Sequence, residues 1–251
     1  MESGIFRDRA PLLQWLIFTG LWVFALVLAW RFGLIRQMVA GDRTYLSSII
    51  GLLYLATALH CLWRTIVVSR EEDAARRSAA LIEPSERQIS VVRGTIMIDG
   101  EKSLPQGLVS DHIRDLVLKA QLQGNRRLDQ SLLLRGLAAR LRGSNHLGAF
   151  ASDTLMKLGL LGTIIGFIMM LAPIAGLDTG DRGSIKSSMS VMSDGMAVAM
   201  YTTLAGLVAS ILVKIQYTFL DDATSKLFAF AVGFTEVHVV SVLERQAERQ
   251  A

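Results

Sequence analysis

Four stretches of the chain are nearly unbroken apolar runs, with polar residues gathered between them. They are Leu12 to Trp30, Tyr45 to Trp63, Leu155 to Ala175 and Gly195 to Leu220. A helix needs about 20 residues, at roughly 1.5 Å of rise each, to cross the bilayer core, and each run supplies that. The runs are continuous and do not alternate, which argues for helices and against barrel strands. The pattern predicts an all-α membrane protein with four transmembrane helices. The first run competes with a secretory signal peptide. It is longer than a usual signal core, and Arg31-Phe32-Gly33 follows in place of a small-x-small cleavage pattern, so it reads as a retained span. Trp15 and Trp30 sit near its ends, where indole rings favour the headgroup region.

The polar stretches complete the layout. Residues 1–11 form a short terminus and 12–63 hold the two peripheral spans, with a turn signal at Gly41-Asp42. Residues 64–150 read as a helical cytoplasmic domain. It opens with SREEDAARR (69–77), a charged continuation of the second helix with Glu72 and Arg76 at i,i+4, and Pro84 closes it or begins a turn. Residues 91–107 are irregular, with a turn signal at Asp99-Gly100, and fit a small hairpin or a loop. Helical spacing then predicts amphipathic helices over Val109–Gln123 and Leu128–Leu141, before Gly143 to Gly148 interrupts the pattern. Residues 151–220 hold the core pair of spans, joined by an outer connection over 176–194. Residues 221–251 read as a C-terminal helix leaving the membrane; a partly membrane-lying segment is the alternative, because FAFAVGF is apolar but too short to span.

Composition agrees: 51% of the 251 residues are hydrophobic. The net charge of +4 is most simply a positive-inside signal and not a nucleic-acid patch. Of the 26 Lys and Arg residues, 14 lie between Arg64 and Arg142, which puts that block, and with four spans both termini, on the cytoplasmic side. Cys61 is the only cysteine, so no internal disulfide and no cysteine zinc cluster can form. His60, His112, His146 and His238 are dispersed without metal-ligand spacing. His60 fits a proton-relay group or an interfacial histidine one turn from Arg64. No phosphate-binding loop, nucleophile elbow or Cys/His constellation is present, so neither an enzyme nor a cofactor is expected.

The core pair carries the candidate chemistry. Thr163 lies mid-depth in the third span, and Thr202 and Thr203 in the fourth. Gly159, Gly162 and Gly166 accompany the first; Ala199, Gly206 and Ser210 accompany the others. Small residues at i and i+4 let membrane helices approach closely. On that ground alone these are packing faces whose threonines bond back to i−4 carbonyls. Depth favours a second role: hydroxyl oxygens at mid-membrane can replace water around a passing Na⁺ or hydronium. They cannot change charge, and neither core span has an Asp or Glu at its centre, so the carboxylate a carrier needs must come from a partner subunit. Asp153 and Lys157 at the inner mouth read as helix-end electrostatics or as ion gating. Asp178, Asp181 and Asp194 concentrate cations outside or belong to a solvated loop.

GLLGTIIGF (159–167) followed by DGMAVAMYTTLAGLVAS (194–210) resembles the paired signature of the MotA/TolQ/ExbB proton-channel family. The resemblance covers about residues 150 to 220. It implies a homopentamer around a dimer of a single-span MotB/TolR/ExbD-like subunit, whose transmembrane Asp carries the ion past Thr163, Thr202 and Thr203. It also implies the bacterial inner membrane and a rotary complex driving a flagellar, import or envelope process. Four spans with the core pair last resemble the flagellar-stator branch, and the consecutive threonines resemble its Na⁺-driven members. A non-conducting membrane scaffold is the alternative to the channel.

Overall fold

A computed structural model describes residues 10–33, 36, 44–82, 89–92, 95–98, 102–123, 128–143, 145–176 and 182–250. The elements run in the order α1 (Ala10–Arg31), α2 (Leu46–Ile82), β1 (Ile89–Val92), β2 (Thr95–Ile98), β3 (Lys102–Ser103), α3 (Leu108–Gln123), α4 (Ser131–Arg142), α5 (His146–Leu171), a 3₁₀ turn (Ala172–Gly176), α6 (Arg182–Phe234), a π turn (Thr235–Val240) and α7 (Ser241–Gln250). The expected turns at Gly41-Asp42, Pro84 and Asp99-Gly100, and the acidic Asp178 and Asp181, lie outside the described residues.

Among the described residues, three helical stretches are long and apolar enough to cross a membrane: Leu46–Ile82, His146–Ile174 and Ile185–Arg245. This is a multi-pass membrane protein. The run at Leu12 to Trp30 forms α1, a helix of 22 residues, of which the stretch Trp15–Arg31 is the apolar part among the described residues. Of the two tryptophans near its ends, Trp15 packs against the protein at 5% exposed, whereas Trp30 is 67% exposed.

The chain divides into two compact units. The apolar unit comprises residues 13–63 and 145–219; the polar unit comprises residues 1–12, 64–144 and 220–251.

In the polar unit the apolar face of α3 makes the core. Val109, Ile113, Leu116 and Val117 are all but inaccessible. Burying each such side chain contributes about 1.5–3 kcal/mol. Facing elements add Leu137 and Leu141 of α4, Leu227 and Ala231 of α6, and Val239, Val240 and Leu243 beyond it. Helix ends are closed by side chains from other elements. Glu71 accepts the Leu108 N–H at 2.7 Å, occupying a free donor at the start of α3. Arg64 donates to the Leu141 carbonyl at 2.9 Å, at the end of α4, beside Gly143, whose φ of +44° favours glycine. Asp129 accepts from the Ser131 N–H at 2.9 Å and its hydroxyl at 3.0 Å, and these bonds hold its carboxyl below the ordinary range. That bond pattern explains why α4 begins at Ser131 and not at Leu128 as its spacing predicted.

The all-α reading requires a correction here. Residues 89–103 include an antiparallel sheet in the order β1-β2-β3, with Ile89 opposite Ile98, Val92 opposite Thr95 and Met97 opposite Ser103. Of the two forms the sequence allowed, the hairpin is the one present. Ile96 and Leu104 are buried.

Two other expectations change. The connection over 176–194 is not a loop throughout, because α6 begins at Arg182. Polarity marked this stretch as a connection, but Ser, Met and Lys do not break helices as Pro does. The third span starts its helix early, at His146, and ends in a 3₁₀ turn. Pro173 sits within that turn and lacks the N–H an α-helix needs there.

Candidate functional site

Within the apolar unit, α5 and α6 run antiparallel along a seam made largely of backbone. Along α5 the buried positions are Ala151 and a stripe of Gly148, Ser152, Leu155, Gly159, Gly162 and Gly166. Their 4-3-4-3-4 spacing is the period that keeps one stripe facing a partner helix. Glycine is required by distance. A Cβ on Gly206 would stand 2.7 Å from the Gly159 Cα and 2.7 Å from the Leu155 carbonyl oxygen. One on Gly166 would stand 2.6 Å from the Gly195 carbonyl oxygen, and one on Gly195 2.7 Å from the Met170 nitrogen. One on Gly148 would enter the Tyr217 ring, and one on Gly162 would fall 2.2 Å from the Thr202 Oγ1. Ser152 ties the helices directly, with its Oγ 3.0 Å from both the carbonyl and the hydroxyl oxygen of Ser210.

The three threonines occupy different surroundings. Thr202 is 0% exposed, and its hydroxyl donates to the Val198 carbonyl at 2.8 Å. Thr203 is half-buried; its hydroxyl lies 2.9 Å from the Ala199 carbonyl and 3.3 Å from the Gly159 carbonyl across the seam. Thr163 is half-buried, donates to the Leu160 carbonyl at 2.5 Å, and lines an open groove of about 540 Å³. Gly166, Phe167, Met170, Met196 and Ala199 line the same groove. The seam thus gathers Gly159, Gly162, Gly166, Gly206 and Ser210 with Thr202 and Thr203. Thr163 lies on the groove flank beside Gly166 and Ala199.

No Asp, Glu, Lys, Arg or His occurs between Lys157 and the end of α5, or between Asp194 and Lys214. The hydroxyls and carbonyls can therefore offer oxygens to a cation but cannot hold a proton in transit. Asp153 and Lys157 pair at 2.6 Å, both well exposed, a geometry that contributes little. His60 is half-buried; its Nδ1 is 2.7 Å from the Tyr217 hydroxyl, and the rings stack at 6.3 Å. Sequence reading missed the Ser152–Ser210 clasp, the seat of Tyr217 on Gly148, and Gly195. Following the 4-3 spacing back from Gly166 finds Gly148 and Ser152; i,i+4 pairs alone do not.

A sequence profile of the MotA/TolQ/ExbB proton channel family matches residues 109–230, which include all of this seam from Gly148 to Tyr217. That stretch of the chain is thus similar to the family. Among curated proteins it is similar to the biopolymer transport protein exbB1 of Vibrio cholerae serotype O1, at 46% identity over 54 residues. That match covers 22% of this chain and spans about a fifth of the relative, 21% of its length. No solved structure matches the chain. The matched stretch contains a close-packed helix pair whose mid-span polar side chains are mostly threonine and serine hydroxyls.

Proposed function

We propose that the protein is the channel subunit of an ion-driven motor complex in the bacterial inner membrane. α5 and α6 form the ion-facing pair, and α1 serves as a fourth span, with both termini in the cytoplasm. Five copies surround two copies of a single-span MotB/TolR/ExbD-like subunit, whose transmembrane Asp takes the proton that this chain cannot carry. One observation supports the reading above others: the mid-span polar atoms of the family-matched helix pair are threonine hydroxyls, with no ionisable side chain among them except the Tyr201 phenol. Thr163, open to the groove, is assigned as the leading pathway hydroxyl and Thr203 as the second; Thr202, sealed in the seam, is assigned to packing. The ion is H⁺, with Na⁺ as the variant that the consecutive threonines allow. Likeness to a biopolymer transport protein favours an import or envelope process over flagellar rotation.

A scaffold without conduction is the second reading. It is favoured by the threonine hydroxyls, which bond back to carbonyls three or four residues earlier. Proteoliposomes holding the subunit with its partner separate the two. Thr163→Val keeps shape and removes the oxygen, so ion flux should fall at least tenfold while native mass spectrometry still gives five copies with two. Unchanged flux in that variant, or no flux in the parent complex, supports the scaffold. Replacing Na⁺ by choline at constant pH should leave H⁺-driven flux intact and abolish Na⁺-driven flux.

A further inference from the structure

The polar unit contains a polar cluster, buried except at its Glu236 end, that ion passage does not use. His112 of α3 is 4% exposed, and its Nε2 has no hydrogen-bond partner. The ring lies against the Gln130 amide, which precedes α4. Gln130 is itself 5% exposed and reaches on to the π turn: its Nε2 donates to the Glu236 carboxylate, and its Oε1 accepts from the Thr235 hydroxyl at 3.2 Å. Thr235 is 0% exposed and also donates to the Ala231 carbonyl at 2.8 Å, a carbonyl that α-helical bonding would assign to its own N–H. One side chain thus connects a buried histidine to the place where the helix winding changes. π turns inside long helices frequently mark functional positions.

We propose that the His112–Gln130–Glu236 cluster is an acid-released latch, in which proton uptake by His112 undocks the π turn and α7 from α3. A proton added at Nε2 would put an N–H without an acceptor, and a charge, inside an apolar core. Burial accordingly pushes the His112 pKa below its ordinary value, against smaller upward effects of Gln130 and Asp115. The groups facing the ring are Asp115 from its own helix, the Gln130 amide and, through that amide, Glu236. Among the described side chains, other titratable or charged groups on elements packed against α3 are His238 of the π turn, Arg135, Arg140 and Arg142 of α4, Glu244 and Arg245 of α7, and Glu71 of α2; β1 and β2 bring none. The sign follows from linkage. The undocked histidine protonates near about pH 6.5, and the docked one only below that. Docking is therefore complete above pH 6.5 and weakens as pH falls through it, by at most about tenfold per pH unit for one proton.

Hydrogen exchange on the full-length protein in nanodiscs tests this, corrected for the intrinsic pH dependence of exchange. Between pH 7.5 and 5.5, peptides covering 108–123 and 235–243 should gain several-fold faster exchange. His112→Asn should flatten that response, and His238→Asn should leave it intact. A flat wild-type profile, or a response that survives His112→Asn, overturns the latch. Should His112→Asn not fold, deuterium uptake at the C2 position of wild-type His112 decides: an apparent pKa below 6.5 supports the latch, and one at or above 6.5 overturns it. Neither readout depends on whether the protein conducts.

Discussion

The two units are filled with different material. In the polar unit, Leu, Ile and Val side chains from α3, α4 and the end of α6 occupy the space between elements. In the apolar unit, the seam between α5 and α6 has little side chain, and glycine lets backbone meet backbone. The difference follows from solvent. In water, burying large apolar side chains drives association. In lipid that drive is absent between helices, and close contact of small residues with occasional hydrogen bonds takes its place.

The contrast can be broken at four points. The largest effect belongs to Gly206→Val, whose Cβ would stand 2.7 Å from two backbone atoms. The expected outcome is loss of assembled protein from solubilised membranes, read by size-exclusion yield. Next is Leu116→Ala in the polar core, which should cost about 2–5 kcal/mol and leave a folded protein with a lowered Tm. A polar unit that tolerates this change without loss would mean its side chains are not the filling described. Ser152→Ala removes the clasp to Ser210 and should cost about 0.6–1.7 kcal/mol in thermal unfolding. Gly136→Ala in α4 sharpens the comparison from the other side, because nothing lies within 4 Å of its added Cβ. It should stabilise by about 0.5–1 kcal/mol. A loss there as large as at Gly206 would remove the distinction between the two glycine classes.

Legibility from sequence followed the same division. Apolar runs located α2, α5 and α6 because lipid forces uniformity around the helix. Amphipathic spacing placed α3 to within one residue, Leu108–Gln123 against Val109–Gln123. The start of α4 was misplaced because Leu128 is buried outside the helix, its N–H donating to Glu244 far along the chain. The start of α6 at Arg182 is not legible because a polar stretch between two apolar runs fits an exposed helix as well as a loop. At the site, residue type and depth identified the threonines, but their different exposures were hidden. One position separates Thr202 from Thr203, a turn of about 100° around the helix, which is enough to move a hydroxyl out of the seam. The His112 cluster was invisible because His112, Gln130 and Glu236 are distant in sequence, and only the packing of α3 against the π turn joins them.

The glycine seam also has a consequence for inheritance. At most positions a mutation can be graded, from Leu to Met or from Val to Ile. Glycine offers no such gradation, since any replacement adds at least a Cβ, and at Gly148, Gly162, Gly166, Gly195 and Gly206 that first carbon already lies under 3.0 Å from another atom. Drift along this face therefore has no small steps. The seam should change only by paired substitution on both helices, while leucines of the polar unit exchange one at a time.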